Sequence, residues 1–112
     1  MIIEEIVRNF LDNTLDVPAL MERRNDAPRS YVMVEKTGGG KENHLCSATI
    51  AVQSYGGSMY EASALNEQVK AAMEDIVRLD SISGAHLQTD YNFTDTSRGE
   101  YRYQAVFLLS HY

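Results

Sequence analysis

The chain has 112 residues and a mass of 12.6 kDa, the size of one domain. Apolar residues make up 44% and charged residues 23%, which excludes disordered, collagen-like and low-complexity classes. A formal charge of −6 repels phosphate backbones, so nonspecific nucleic-acid binding is not expected. The single cysteine, the lack of an export signal and the lack of any apolar run near roughly 20 residues predict synthesis in the cytoplasm and no membrane association.

The first half of the sequence predicts one helix followed by three strands. Apolar residues at three- and four-residue spacing predict an amphipathic helix over residues 2–13. Pro18 favours an extended backbone at Val17, and it has no backbone N–H to donate to a neighbouring strand. A strand over 17–23 is therefore expected to begin here or to lie at the edge of a sheet. β-Branched and aromatic residues predict a strand over 31–35, and apolar–polar alternation predicts a half-buried strand over 44–55.

The second half predicts a helix and then a hairpin. A Ser-x-x-Glu capping box at Ser58 starts an amphipathic pattern that ends near Leu79. Alternating residues predict strands over 84–93 and 100–111, joined by a polar turn. The order α-β-β-β-α-β-β indicates an α+β fold, in which two helices pack on one face of a mainly antiparallel sheet of four or five strands.

The final predicted strand is apolar on both faces. Val106 and Leu108 lie on the face opposite to the main apolar row, and one helical layer cannot cover both faces. We therefore expect Val106 and Leu108 to contact another subunit. Tyr101 and Tyr103 are further candidates, because the amphipathic tyrosine side chain suits a partly hydrated interface as well as the rim of a core.

Three arginines bracket the predicted turn at residues 25–28. Arg23, Arg24 and Arg29 place three guanidinium groups at one end of the predicted sheet, in an otherwise acidic chain. Two interpretations are open. The arginines are either separate solvated charges or a docking edge for carboxylates, which guanidinium groups bind in a bidentate manner.

The glycine-rich segment 37–43 has no apolar residue and no periodicity, so it predicts a mobile loop between two strands. It is superficially similar to a phosphate-binding loop. Glu35 and Glu42, however, stand where that motif needs Gly and Ser or Thr, and no helix follows. Nucleotide binding is therefore not expected.

No catalytic constellation is visible in the sequence. His44, His86 and His111 lie in different predicted strands without metal-ligand spacing, and no nucleophile motif surrounds any serine. Cys46 belongs to the apolar row of its strand, which is typical of a structural thiol. We expect no enzyme activity, no metal and no cofactor.

Four short motifs, in this order and spacing, resemble the tail-terminator (tail-completion) proteins of long-tailed phages and prophages. The resemblance covers nearly all of residues 1–112 as a single domain. The motifs are Val17-Pro18 with Glu22-Arg23, Tyr31-Val32-Met33-Val34-Glu35-Lys36-Thr37-Gly38-Gly39, Val52-Gln53-Ser54-Tyr55-Gly56 with Glu61-Ala62, and Tyr101-Arg102-Tyr103-Gln104.

The resemblance implies a small α+β subunit of the virion tail that closes into a ring, typically a hexamer, on the last ring of tail-tube protein. Such a ring ends tube growth and presents the surface to which the head-tail connector attaches. It has no catalytic activity, and DNA only passes through its channel. Segment 36–43 corresponds to a long loop of that family, which makes Lys36 and Lys41 candidate contacts with neighbouring subunits.

Two alternatives stay open. The chain could be a head-closure or connector component of the same particle, which would bind a different partner through the same kinds of physical interaction. It could also be a stand-alone α+β ligand-binding or regulatory domain, with a pocket between helix and sheet lined by convergent polar groups. An enzyme ranks below both.

Overall fold

The computed structural model describes residues 2–42 and 44–112, which form two helices, one 3₁₀ turn and one five-stranded sheet. In chain order the elements are α1 (Ile3–Thr14), β1 (Ala19–Leu20), β2 (Tyr31–Glu42), β3 (Leu45–Gly56), α2 (Met59–Glu74), the 3₁₀ turn (Ile76–Arg78), β4 (Ile82–Asn92) and β5 (Tyr101–His111). The sheet order is β1-β2-β3-β5-β4, with β1 parallel to β2 and the other pairs antiparallel. The predicted α+β fold is confirmed.

Both helices pack on the same face of the sheet, which we call the inner face. In α1, Ile3, Val7 and Leu11 recur every four residues and are buried. They share one core with buried residues of α2 and of all five strands. The strand residues of this core are Ala19 on β1, Val32 and Val34 on β2, Ala48, Ile50 and Val52 on β3, Ile82 on β4, and Ala105, Phe107 and Leu109 on β5. We call the opposite side of the sheet the outer face.

The N-terminus of α2 has the predicted cap. The Glu61 backbone N–H donates to Ser58 Oγ at 3.2 Å, and the Glu61 carboxylate accepts from the Gly57 N–H at 2.8 Å. Helical backbone stops just before Leu79, close to the predicted end, but its last part is the separate 3₁₀ turn. Neither helix in the described part of the chain is long and apolar enough to cross a membrane.

The predicted loop over residues 37–43 is wrong, because β2 continues to Glu42 and stays paired with β3. Its glycines supply no strand propensity of their own, and the neighbouring strand provides their hydrogen-bond partners. The turn to β3 contains His44, whose φ of 67° lies in the left-handed region, and β3 begins at Leu45. Asn43 lies outside the described residues. The predicted strand over 17–23 shortens to the two residues of β1.

A register shift between Leu87 and Thr89 changes which of the following β4 residues lie on each face of the sheet. Simple alternation places Tyr91 on the apolar face and Asp90 on the polar one. In the structure Leu87 and Asp90 are paired with Phe107 and Ala105, both inner-face residues of β5. Asp90 therefore lies on the inner face and Tyr91 on the outer face.

Candidate assembly surface

The outer face has no helical layer in the described part of the chain, since α1 and α2 both pack on the inner face. Val106 is paired with Ala51 on one side and Thr89 on the other. Leu108 is paired with Thr49 and His86. The two predicted contact residues are thus half-buried in the middle of an open sheet face. Their contact with another subunit stays a prediction.

One end of the outer face is built around two stacked tyrosines. The rings of Tyr31 and Tyr55 lie 4.6 Å apart and nearly parallel. The guanidinium groups of Arg23 and Arg102 each lie 5.8 Å from the centre of the Tyr55 ring. The Tyr55 hydroxyl accepts hydrogen bonds from Arg102 at 3.1 Å and from Arg23 at 3.4 Å, and donates to Gln53. We call these four residues, Tyr31, Tyr55, Arg23 and Arg102, the arginine–tyrosine cluster.

Arg23 joins this cluster to the β4–β5 turn. Its guanidinium donates two hydrogen bonds to the Glu100 carboxylate, at 3.0 and 3.1 Å, across 77 residues of sequence. The hydrogen bond to Glu100, followed by that to Tyr55, raises the pKa of Arg23 above its ordinary value. Burial, followed by the nearby Tyr55 hydroxyl, raises the pKa of Tyr31. Arg23 therefore links the segment between β1 and β2 to the turn between β4 and β5.

Arg24 and Arg29 lie at the same end but have other carboxylate partners. The three predicted arginines line one surface pocket of about 300 Å³ together with Tyr31 and Tyr55. Arg24 lies 3.7 Å from Asp26, and Arg29 lies 3.5 Å from Glu61 and against Gly57. Their side chains are 52% and 69% exposed, so these two guanidinium groups are accessible to a partner's carboxylates.

The remaining predicted residues are spread over the molecule. Tyr101 is exposed at the rim of the arginine pocket. Tyr103 is paired with Ser54 and Asn92, which places it half-buried on the inner face, away from Val106. Lys36 and Lys41 are exposed on β2, and Lys41 lies roughly 30 Å along the strand from Tyr31. The structure therefore does not gather the predicted residues into one site.

A polar cluster on the inner face was not predicted. The Asn66 side chain is buried, and its amide donates to Asp90 at 3.0 Å. Lys70 donates to the same oxygen of Asp90 at 2.9 Å and lies 3.1 Å from Glu67. The hydrogen bond with Asp90, followed by that with Glu67, raises the pKa of Lys70. The Lys70 hydrogen bond in turn lowers the pKa of Asp90.

No group of His, Cys, Asp and Glu in residues 2–42 and 44–112 has the geometry of a metal site. Cys46 and His111 are cross-strand neighbours, yet no hydrogen bond joins their side chains in the described structure. Both lie at the far end of the sheet from the arginine–tyrosine cluster.

An open apolar cleft lies beside α1. It measures about 830 Å³, and Ile6, Phe10, Leu79 and Tyr112 supply its apolar lining. Its lining also includes the polar residues Asn9, Asn13, Thr14, Asp80 and Ser81. Thr14 donates to the Phe10 carbonyl at 2.7 Å, and Asn9 accepts from Arg8 at 2.8 Å.

Comparison with known proteins adds no further constraint. A scan of the sequence against protein-family models found no match, and a search of curated proteins found none either.

Proposed function

We propose that this chain is a structural subunit of a phage or prophage tail, which forms a ring on the tail tube and ends its polymerisation. The resemblance of its motifs to tail-terminator proteins suggests this role. In this proposal the subunit binds further copies of itself, the tail-tube protein on one side of the ring and the connector protein on the other. The subunit acts by contact alone.

The observation that supports the proposal is the open outer face with Val106 and Leu108 at its centre. Apolar side chains that the molecule's own helices leave uncovered are typical of protein interfaces. A closed ring also needs two different, complementary surfaces on each subunit. The outer face and, at its end, the accessible arginines Arg24 and Arg29 offer candidate contacts for such surfaces.

The test combines the purified chain with the tail-tube protein encoded in the same genome. We expect a ring-sized species near the mass of a hexamer, and tubes of defined length by electron microscopy. Tubes assembled without the chain should vary widely in length. A chain that stays monomeric at millimolar concentration and leaves tube length unchanged would contradict the proposal.

A matched pair of variants assigns the effect to the outer face. Leu108→Ser makes the centre of this face polar, and we expect at least a tenfold weaker association, about 1.4 kcal/mol. Ala71→Ser is the control, because Ala71 is exposed on α2, on the opposite side of the sheet. Equal association of both variants would remove the outer face from the proposal.

The head-closure alternative is distinguished by its partner. A connector component would bind the connector protein and leave tube length unchanged in the same assay.

The ligand-binding alternative is favoured only by the cleft beside α1. It predicts that a small apolar ligand raises the melting temperature, and that Phe10→Asp abolishes this rise.

A further inference from the structure

Most of β2 has a free edge. β1 pairs with Val32 and Met33 only, so over residues 34–42 the side of β2 away from β3 faces no strand of the described chain. An unpaired strand edge presents a row of backbone donors and acceptors, and it is a ready template for pairing with another chain.

The opposite side of the sheet also ends in a free edge. β4 is the last strand of the sheet and pairs over its length with β5 only. Leu87, Tyr91 and Phe93 on or next to β4 are 46%, 40% and 37% exposed. The molecule therefore carries two long, unpaired and different edges on opposite sides, as a heterologous contact that closes into a ring requires.

The free part of β2 combines charged side chains and a register shift with a run of glycines. Proteins shield edge strands with charged side chains, prolines or bulges. Here Lys36 and Lys41 and a register shift after Lys36 flank three residues without side chains, Gly38, Gly39 and Gly40. None of these glycines has a positive φ. A Cβ at Gly38 would make only ordinary contacts, the nearest at 3.7 Å from Thr49, whereas a Cβ at Gly39 would lie 2.9 Å from Lys36 Cε and 3.2 Å from the Ser47 carbonyl oxygen. Neither backbone conformation nor a close neighbour therefore requires glycine at Gly38.

We propose that the free edge of β2, over residues 37–42, pairs with the β4 edge of a second copy, so that the sheet continues from one subunit to the next. This inference rests on the self-assembly in the proposed function. β2 and β4 run in opposite directions within one sheet. In a ring whose axis follows the strands every copy keeps its strand direction, so β4 meets the neighbouring β2 in an antiparallel pair.

Cross-linking tests this contact directly. In a Cys46→Ala background, Gly38→Cys is combined with His86→Cys, which places one thiol on each edge, both on outer-face positions. A short bismaleimide should convert the assembled double variant into a ladder of covalent multimers. Each single-cysteine variant is a control and should give no ladder beyond a dimer.

A second measurement uses the unmodified chain. Backbone hydrogen exchange within residues 37–42 should slow at least tenfold on assembly, as should exchange in β4. The helices α1 and α2 should show little change.

The outcomes separate the two proposals. Absence of any assembly contradicts the proposed function. Assembly without a ladder and without slower exchange at these edges overturns the paired-edge inference and leaves the ring proposal intact.

Discussion

The two faces of β5 have similar apolar side chains but very different surroundings. On the inner face Ala105, Phe107 and Leu109 are at most 2% exposed beneath the helical layer. On the outer face Val106 and Leu108 are only half-buried, between neighbouring strands. Hydrophobic stabilisation scales with the apolar area removed from water, so the fold depends mainly on the inner face. The outer residues are therefore available for contacts between molecules.

The largest expected effect comes from truncating neighbouring leucines on the two faces. Leu109→Ala should lower the free energy of unfolding by about 2–5 kcal/mol, because it opens a cavity in the core. Leu108→Ala should lower it by less than about 1.5 kcal/mol, because this side chain is already partly in water. Urea unfolding monitored by circular dichroism measures both. Equal losses would show that the outer face belongs to the core.

A smaller effect is expected in the polar cluster of the inner face. Asp90→Asn removes the charge that Lys70 and Asn66 contact, and it should lower stability by about 1 kcal/mol near neutral pH. The pKa of Asp90 is lowered by folding, so its carboxylate stabilises the protein above the ordinary pKa of about 3.9. This contribution is lost as the pH falls through the lower folded pKa.

Unfolding titrations near neutral pH and at low pH measure the pH dependence of this variant. The difference between the wild type and Asp90→Asn should disappear at low pH. Glu74→Gln is the control, since Glu74 is exposed on α2 and lies outside the Asn66–Lys70–Asp90 cluster. A stability loss that stays constant with pH would assign the effect to packing instead of charge.

The sequence predicts features that depend on neighbours close in the chain. The capping box at Ser58 acts over three residues. The Glu61 N–H donates to Ser58 Oγ as the motif predicts, while the Glu61 carboxylate accepts from the N–H of Gly57, one residue before the N-cap. The alternation in β3 predicts its buried row of Ala48, Ile50 and Val52, because a period of two determines the face by itself.

Features that depend on distant residues could not be predicted in this way. The glycine-rich end of β2 is a strand because β3 pairs with it, and glycine carries no signal of that pairing. One register shift in β4 moves Asp90 to the inner face, next to Lys70. The partner of Arg23 is separated from it by 77 residues, so the sequence pattern around residues 25–28 could not identify Glu100.

The smallest expected effect lies at the end of the outer face, where Arg23 and Glu100 meet. Their side chains are 45% and 25% exposed, so water and salt weaken the attraction between them. A double-mutant cycle with Arg23→Ala and Glu100→Gln should give a coupling of about 0.5–1 kcal/mol. Because the charges are partly solvated, about 1 M salt should reduce the coupling to near zero.

Arg24→Ala is the matched control, since Arg24 has a similar exposure and lies 3.7 Å from a mostly exposed carboxylate. It should change the stability of the monomer by less than about 0.5 kcal/mol. In the assembly assay we expect the opposite order, with a larger effect at Arg24 than at Arg23. Arg24 is the more accessible of the two guanidinium groups, whereas Arg23 already binds Glu100. For each variant, the loss of association free energy is divided by the loss of unfolding free energy. We expect this ratio to be larger for Arg24→Glu than for Arg23→Ala. If Arg24→Glu leaves association unchanged, Arg24 is a solvated charge, and among the bracketing arginines only Arg29 remains for contact with a partner.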